Sequence, residues 1–136
     1  MPGRSFVDTN VLVYAVDTAD PGKRASARAV LDEPGRDLVV SAQVLSEFYV
    51  VATRRLATPM TEQDAAARVE ELRKLPTVAI DADLVREGIA ISRESKVSYW
   101  DGLVVAAACA AGCDTLVTED LAAGSTIAGV RIENPF

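Results

Sequence analysis

Asp8, Glu47, Asp101 and Asp120 are spread along a chain of 136 residues, and each falls at or near the end of a predicted strand or the start of a predicted helix. Asp8 follows Phe6-Val7, Asp120 closes Val117-Thr118-Glu119-Asp120, Glu47 lies in the second turn of a predicted helix, and Asp101 in the first turn of another. There is no histidine. That excludes Ser-His-Asp and Cys-His nucleophiles, histidine-based RNA cleavage and zinc sites with imidazole ligands. Grouped carboxylates without imidazole or thiolate suit a hard cation with oxygen ligands, Mg²⁺ or Mn²⁺. Such an ion neutralises a phosphate oxygen and lowers the pKa of a bound water, which is the chemistry of phosphate-ester hydrolysis. The net charge is −6, from 14 basic and 20 acidic residues. A broad electrostatic grip on nucleic acid is therefore absent, although a bound cation reverses the local sign.

Each acid also has a purely structural account. Asp8 can cap a short helix starting near Asn10, Asp120 can cap a last helical turn, and Glu47 can be a solvated helix residue. Asp101 follows Ser98 as Ser-x-x-Asp, close to a capping box, and the helix dipole favours an acid there. Asp101 nevertheless heads the apolar stripe Val104, Val105 and Ala108, where a carboxylate needs a partner. Arg93 and Lys96 are the basic residues within reach across the turn; a cation shared by several carboxylates satisfies the position better. Thr9, Asn10 and Thr118 place short polar groups beside the acids, suited either to holding a carboxylate or water or to ordinary turn and cap chemistry.

The elements that must position these residues follow from the pattern. Arg4–Val7 predicts a strand and Val11–Val16 a short helix. Pro21 opens a second helix that runs to about Glu33 and stops at Pro34-Gly35. Asp37–Val40 is the next strand, with Ser41 as N-cap. Leu45, Phe48, Tyr49, Ala52 and Leu56 recur with helical spacing and predict an amphipathic helix over Ala42–Ala57. Thr61 with Asp64 caps a helix over Glu62–Leu75; Thr77–Ile80 is a third strand; Asp81–Ser95 is a helix with Leu84, Gly88 and Ile91 on one stripe. Ser98 caps Tyr99–Ala111, apolar on nearly every face and so buried, with Gly112 as its stop. Thr115–Val117 is a fourth strand and Val130–Ile132 a weak fifth.

Strands alternate with helices, and the strands are continuous apolar runs. This predicts one α/β domain over residues 1–136, a three-layer α/β/α architecture with a central parallel sheet of about five strands. The composition agrees: 49% apolar, 25% charged and only 5% aromatic. The longest apolar run, Leu103–Ala111, is far short of the roughly 20 residues that span a bilayer. The polar N-terminus argues against a signal peptide, and two cysteines make no disulfide framework, so a cytoplasmic setting without a membrane is expected.

Four blocks carry a resemblance: Phe6-Val7-Asp8-Thr9-Asn10, Ser46-Glu47, Tyr99-Trp100-Asp101-Gly102 with the Leu103–Ala108 run, and Leu116-Val117-Thr118-Glu119-Asp120-Leu121. Together and in this order they resemble the PIN domain, and more narrowly the ribonuclease toxins of bacterial VapBC toxin–antitoxin pairs. The similarity runs from Phe6 to the terminal Asn134-Pro135-Phe136. It implies a three-layer fold, endoribonuclease activity dependent on Mg²⁺ or Mn²⁺, a homodimer, and inhibition by a cognate antitoxin protein. The family's acidic quartet carries over onto Asp8, Glu47, Asp101 and Asp120, and a supporting hydroxyl onto Thr118. Many relatives have Ala where Gly102 stands, and a glycine there is expected to loosen the buried helix by roughly 1 kcal/mol.

With an RNA substrate, local positive charge is needed. Arg54, seven residues from Glu47 on the same helix, lies about two turns or ~10 Å away on nearly the same face. Arg55, Arg93 and Lys96 are further candidates. Three other readings are weighed. A phosphatase or phosphoryl-transfer domain with a nucleophilic aspartate after the first strand needs a second acid two residues on, where Asn10 stands. A phospho-accepting receiver needs adjacent acids at that strand's end and a lysine late in the chain, where Thr9 and a lysine-free segment after Asp120 stand. A binding module without activity would have to keep four grouped carboxylates uncompensated, at a cost in stability.

Overall fold

The protein is described by a computed structural model covering residues 3–136. Six strands form one sheet in the order β3-β2-β1-β4-β6-β5. They are β1 (Arg4–Val7), β2 (Asp37–Ser41), β3 (Thr77–Val78), β4 (Thr115–Val117), β5 (Thr126–Ile127) and β6 (Val130–Glu133). All pairings are parallel except that between β5 and β6. The helices are α1 (Thr9–Tyr14), α2 (Pro21–Leu31), α3 (Ala42–Arg54), α4 (Glu62–Leu72), α5 (Ala82–Ser95) and α6 (Tyr99–Ala110). They flank the sheet as the α/β/α layering requires. Helix α6 packs on β2, β4 and β6 and carries α5 outside it, while α3 packs on β2 and joins α1 and α4.

The chain runs β1, β2, β3 outward on one side of β1, then returns through α5 and α6 to β4 on the other side. The reversal falls between β1 and β4, and in open α/β sheets ligands bind at such a switch point, beyond the carboxyl ends of the strands. Phe6, Val7, Val39, Val40, Leu116 and Val117 are fully buried in this centre. Gly102–Ala108 of α6 are all buried as well, which accounts for a helix apolar all round. Among the described residues no helix is long and apolar enough to cross a membrane.

Several expected boundaries shift. The first helix starts at Thr9 and ends at Tyr14, because Asp8 caps it two residues earlier than the apolar run suggests. Helix α3 stops at Arg54 short of Ala57, and α4 at Leu72 short of Leu75. Strand β3 is only Thr77–Val78, since Ile80 lies beyond its pairing with β2. The sheet has six strands where about five are expected. The addition, β5, is two residues hairpinned onto β6 through Ala128-Gly129, both with positive φ, and is too short for a periodic signal. The core stripe of α3 is Val44, Phe48 and Ala52; Leu45, Tyr49 and Leu56 are only partly buried against it.

Gly102 corrects the expectation drawn from helix propensity. A Cβ there would lie 2.5 Å from the Gly88 carbonyl oxygen and 3.0 Å from Ser92, and a Cβ on Gly88 would lie 3.1 Å from the Leu103 backbone. The two glycines let α5 and α6 touch backbone to backbone. Gly102 is thus a contact requirement, which outweighs its weak intrinsic preference for helix.

Candidate active site

Asp8 ends the run of β1 and caps α1. Its backbone N–H continues the sheet by donating to the Val117 carbonyl at 3.1 Å, which fixes the residue at the β1–β4 junction. Its side chain is 6% exposed. Oδ1 accepts from the Thr9 N–H at 2.7 Å and Oδ2 from the Thr118 hydroxyl at 2.8 Å. Thr118 is fully buried, and its oxygen also accepts from Asn10 Nδ2 and from the Asp120 N–H, both at 3.1 Å. A hydroxyl has one proton and two lone pairs. With both lone pairs taken by nitrogen donors, the Thr118 proton can only point at Asp8.

The same network reaches Asp120 and Glu47, but not Asp101. Asn10 Nδ2 also donates to Asp120 Oδ2 at 3.1 Å, and Asn10 Oδ1 accepts from the Glu119 N–H at 3.4 Å, which sets the orientation of the amide. Thr9 Oγ1 donates to Glu47 Oε2 at 3.0 Å, and Gln43 Nε2 donates to Glu47 Oε1 at 2.9 Å, so both oxygens of Glu47 are held. Asp101 lies in the first turn of α6, where its N–H donates to the Ser98 hydroxyl at 3.1 Å. Asp8 and Asp101 therefore cap or open helices as their structural accounts propose. Asp120 does not, since no helix follows β4 before the β5 hairpin.

The electrostatics tie the four acids together. Burial pushes the Asp8 carboxyl up to about 6; the Thr118 and Thr9 hydrogen bonds oppose this, and the charges of Asp120 and Glu47 add to it. The Asp101 carboxyl is also raised, first by burial and then by Asp120 and Glu47, with Ser98 opposing. Among the described residues none of the four is in a salt bridge, and neither Arg93 nor Lys96 pairs with Asp101. The carboxylates do not close into a ready shell: no group of three or more acidic or thiol side chains among the described residues lies within metal-holding reach. Like charges without a compensating cation repel one another. The donor set fits a hard divalent ion: carboxylate oxygens, held by hydroxyls and amides, and free of salt bridges among the described residues.

Of the expected supporting residues, Thr9, Asn10 and Thr118 all lie in the network. Gln43 joins them without standing out in the sequence; its only signal is the i, i+4 spacing to Glu47 on α3. Among the basic candidates, Arg55 lines a shallow groove of about 310 Å³ with Glu47, Ser46, Val50 and Val51. Arg54, Arg93 and Lys96 are exposed.

The PIN domain family model matches residues 5–124. No curated protein matches the chain closely. Solved structures with the same fold include a toxin–antitoxin complex from Klebsiella pneumoniae, at 19% identity and TM-score 0.73, covering 97% of this chain and 98% of that one. VapBC2 from Rickettsia felis, bound to a fragment of its promoter DNA, is similar at 17% identity and TM-score 0.66, covering 97% and 98%. VapC20 from Mycobacterium tuberculosis, a toxin that cleaves the sarcin–ricin loop, is similar at 20% identity and TM-score 0.63, covering 82% and 86%. With the family match extending over most of its length, this chain belongs to the PIN-domain family.

Proposed function

We propose that the protein is an endoribonuclease dependent on Mg²⁺ or Mn²⁺ and the toxin of a type II toxin–antitoxin pair, acting in the cytoplasm. The observation that carries this reading is the electrostatically linked set of four carboxylates near the β1–β4 switch point, none of them in a salt bridge among the described residues. Family membership and the fold shared with toxin–antitoxin proteins support it.

Asp8 and Asp101 would be the principal ligands, Asp120 a further ligand, and Glu47 a ligand or the base that orients the attacking water. When bound, the ion supplies neutralisation of a non-bridging phosphate oxygen and an acidified water as nucleophile. Thr118 keeps the Asp8 carboxylate turned by donating to Oδ2, and Asn10 holds Asp120 at the same site. Thr9 and Gln43 together fix the Glu47 carboxylate, so that a proton taken from water there goes to an oxygen of set direction. Arg54, Arg55, Arg93 and Lys96 are the residues proposed to meet RNA phosphates. The partners are a second copy of the chain, as a homodimer, and an antitoxin that restrains the enzyme by placing an arginine or lysine against the acids, a charge-assisted contact.

The test is RNA cleavage with and without Mg²⁺ or Mn²⁺. Wild type is expected to cut only with the ion, and Asp8→Asn or Asp101→Asn to lose roughly 10²–10³-fold in rate, as when one electrostatic contact to a transition state is removed. Asp8→Asn cutting at the wild-type rate after rigorous purification would rule out this site.

A further inference from the structure

Trp100 is 62% exposed, against 44% for Ile89 and 42% for Val50, the other large apolar side chains open to solvent among the described residues. It stands in the first turn of α6, immediately before Asp101 and two residues after the Ser98 cap. The Tyr99 ring, itself packed against the core, meets it edge-to-face with centroids 5.0 Å apart and planes at 65°. The indole is therefore braced on one side and open on the other. The exposed residues that precede it along the chain, from Arg93 to Ser98, are polar. Ser98 is exposed, as are Arg93 in the last turn of α5 and Lys96, whose left-handed backbone (φ 56°) ends that helix. Neither of these two cations is in a salt bridge among the described residues.

We propose that Trp100 is a stacking platform for one unpaired base of single-stranded RNA, holding the strand beside the four-acid cluster. The inference rests on the RNA-cleaving reading of that cluster. An open aromatic ring in a segment that also carries an exposed arginine and lysine, seven and four residues before it, has the parts with which proteins hold single strands: cations meet phosphates and the ring meets a base. In a chain of net charge −6, broad attraction for phosphate is weak, so a contact indifferent to charge carries more of the binding. Stacking tolerates any sequence, because every base has a π-face.

Trp100 is the chain's one tryptophan, so its fluorescence reports this site alone. The full-length Asp8→Asn protein, with Trp100 intact, is titrated with a single-stranded RNA of about eight nucleotides, within the usual range of site sizes. Parallel titrations use an abasic strand of the same length and inorganic polyphosphate. Quenching is expected with the RNA and not with the other two. In the cleavage-competent protein, Trp100→Ala is expected to raise KM by about 5- to 150-fold with kcat little changed, and Trp100→Phe to recover most of the loss. Fluorescence unmoved at RNA saturation, or a KM unmoved in Trp100→Ala, overturns the proposal. So does a change of oligomeric state in Trp100→Ala, which would put the indole in a protein contact. RNA that quenches Trp100 in a wild-type protein unable to cut RNA with either ion would uphold the platform and sink the nuclease reading.

Discussion

Glu119 and Asp120 are neighbours at the end of β4, yet they occupy opposite electrostatic surroundings. Glu119 accepts from Lys23 Nζ at 3.0 Å and from the Tyr14 hydroxyl at 2.7 Å. Lys23 also lies 4.6 Å from the centre of the Tyr14 ring, and Phe136 meets that ring edge-on at 4.9 Å. Hydrogen bonds to Tyr14 and Glu119 hold the Lys23 ammonium above its ordinary pKa, so this corner stays charged and paired. Arg36 does the same for Glu33 and Glu133, reaching the latter at 3.0 Å. Asp120 has only the Asn10 amide, and it faces Asp8 and Asp101. One set of acids is finished by cations in the fold; the other is held in place by groups that carry no charge. A folded protein tolerates the second kind of arrangement only at some cost in stability, and a cation from solution removes that cost.

The largest expected effect on this contrast concerns Asp8 and pH. Its carboxyl is raised from 3.8 to about 6, so between those values the native state holds more protons than the unfolded chain. Stability from this group is complete below pH 4 and is lost as pH rises through about 6. Without metal, wild type is expected to lose about 3 kcal/mol across this window relative to Asp8→Asn, which does not titrate. The measurement is the difference between their denaturant-unfolding free energies at a series of pH values. A flat difference would mean that Asp8 is not held in an uncompensated site.

Adding the ion tests the same imbalance from the other side. Mg²⁺ or Mn²⁺ at a hundredfold excess over Kd is expected to stabilise wild type by about 2.7 kcal/mol. That is roughly 5–10 °C in melting temperature for a chain of this size, and Asp8→Asn should respond less. Melting curves indifferent to both ions would break the comparison.

Gly102→Ala probes what places Asp101. Helix propensity alone would favour alanine by about 1 kcal/mol, but the added Cβ meets the Gly88 carbonyl, and overpacking of this kind costs about 1–3 kcal/mol. The variant is expected to be less stable by thermal unfolding, and to cut RNA more slowly as α6 shifts the carboxylate beside it. A stabilised variant would show that α5 and α6 can part without penalty.

The smallest effect belongs to the paired corner. Glu119→Gln is expected to cost at most about 1 kcal/mol, the scale of a partly exposed ion pair, and to leave the response to metal unchanged. An altered metal response in that variant would mean the two regions are not electrostatically separate.

The sequence by itself determined the strands β1 and β4, the buried helix α6 with its Ser98 cap and Gly112 stop, and the placement of acids at strand ends. These are local matters: apolar runs, caps and breakers act over a few residues and are written in order along the chain. Tertiary structure decided what each acid meets. Lys23 and Glu119 are 96 residues apart, and Thr118 and Asp8 are 110 apart. Nothing in their spacing indicates that one acid finds a cation and the other a hydroxyl. Gly102 reads as a weak helix former until Gly88 is brought against it, and Trp100 reads as one more apolar residue of a buried helix until the first turn of α6 leaves it in solvent. Partnership and exposure are properties of surfaces brought together from distant segments, and only the packed fold specifies which segments those are.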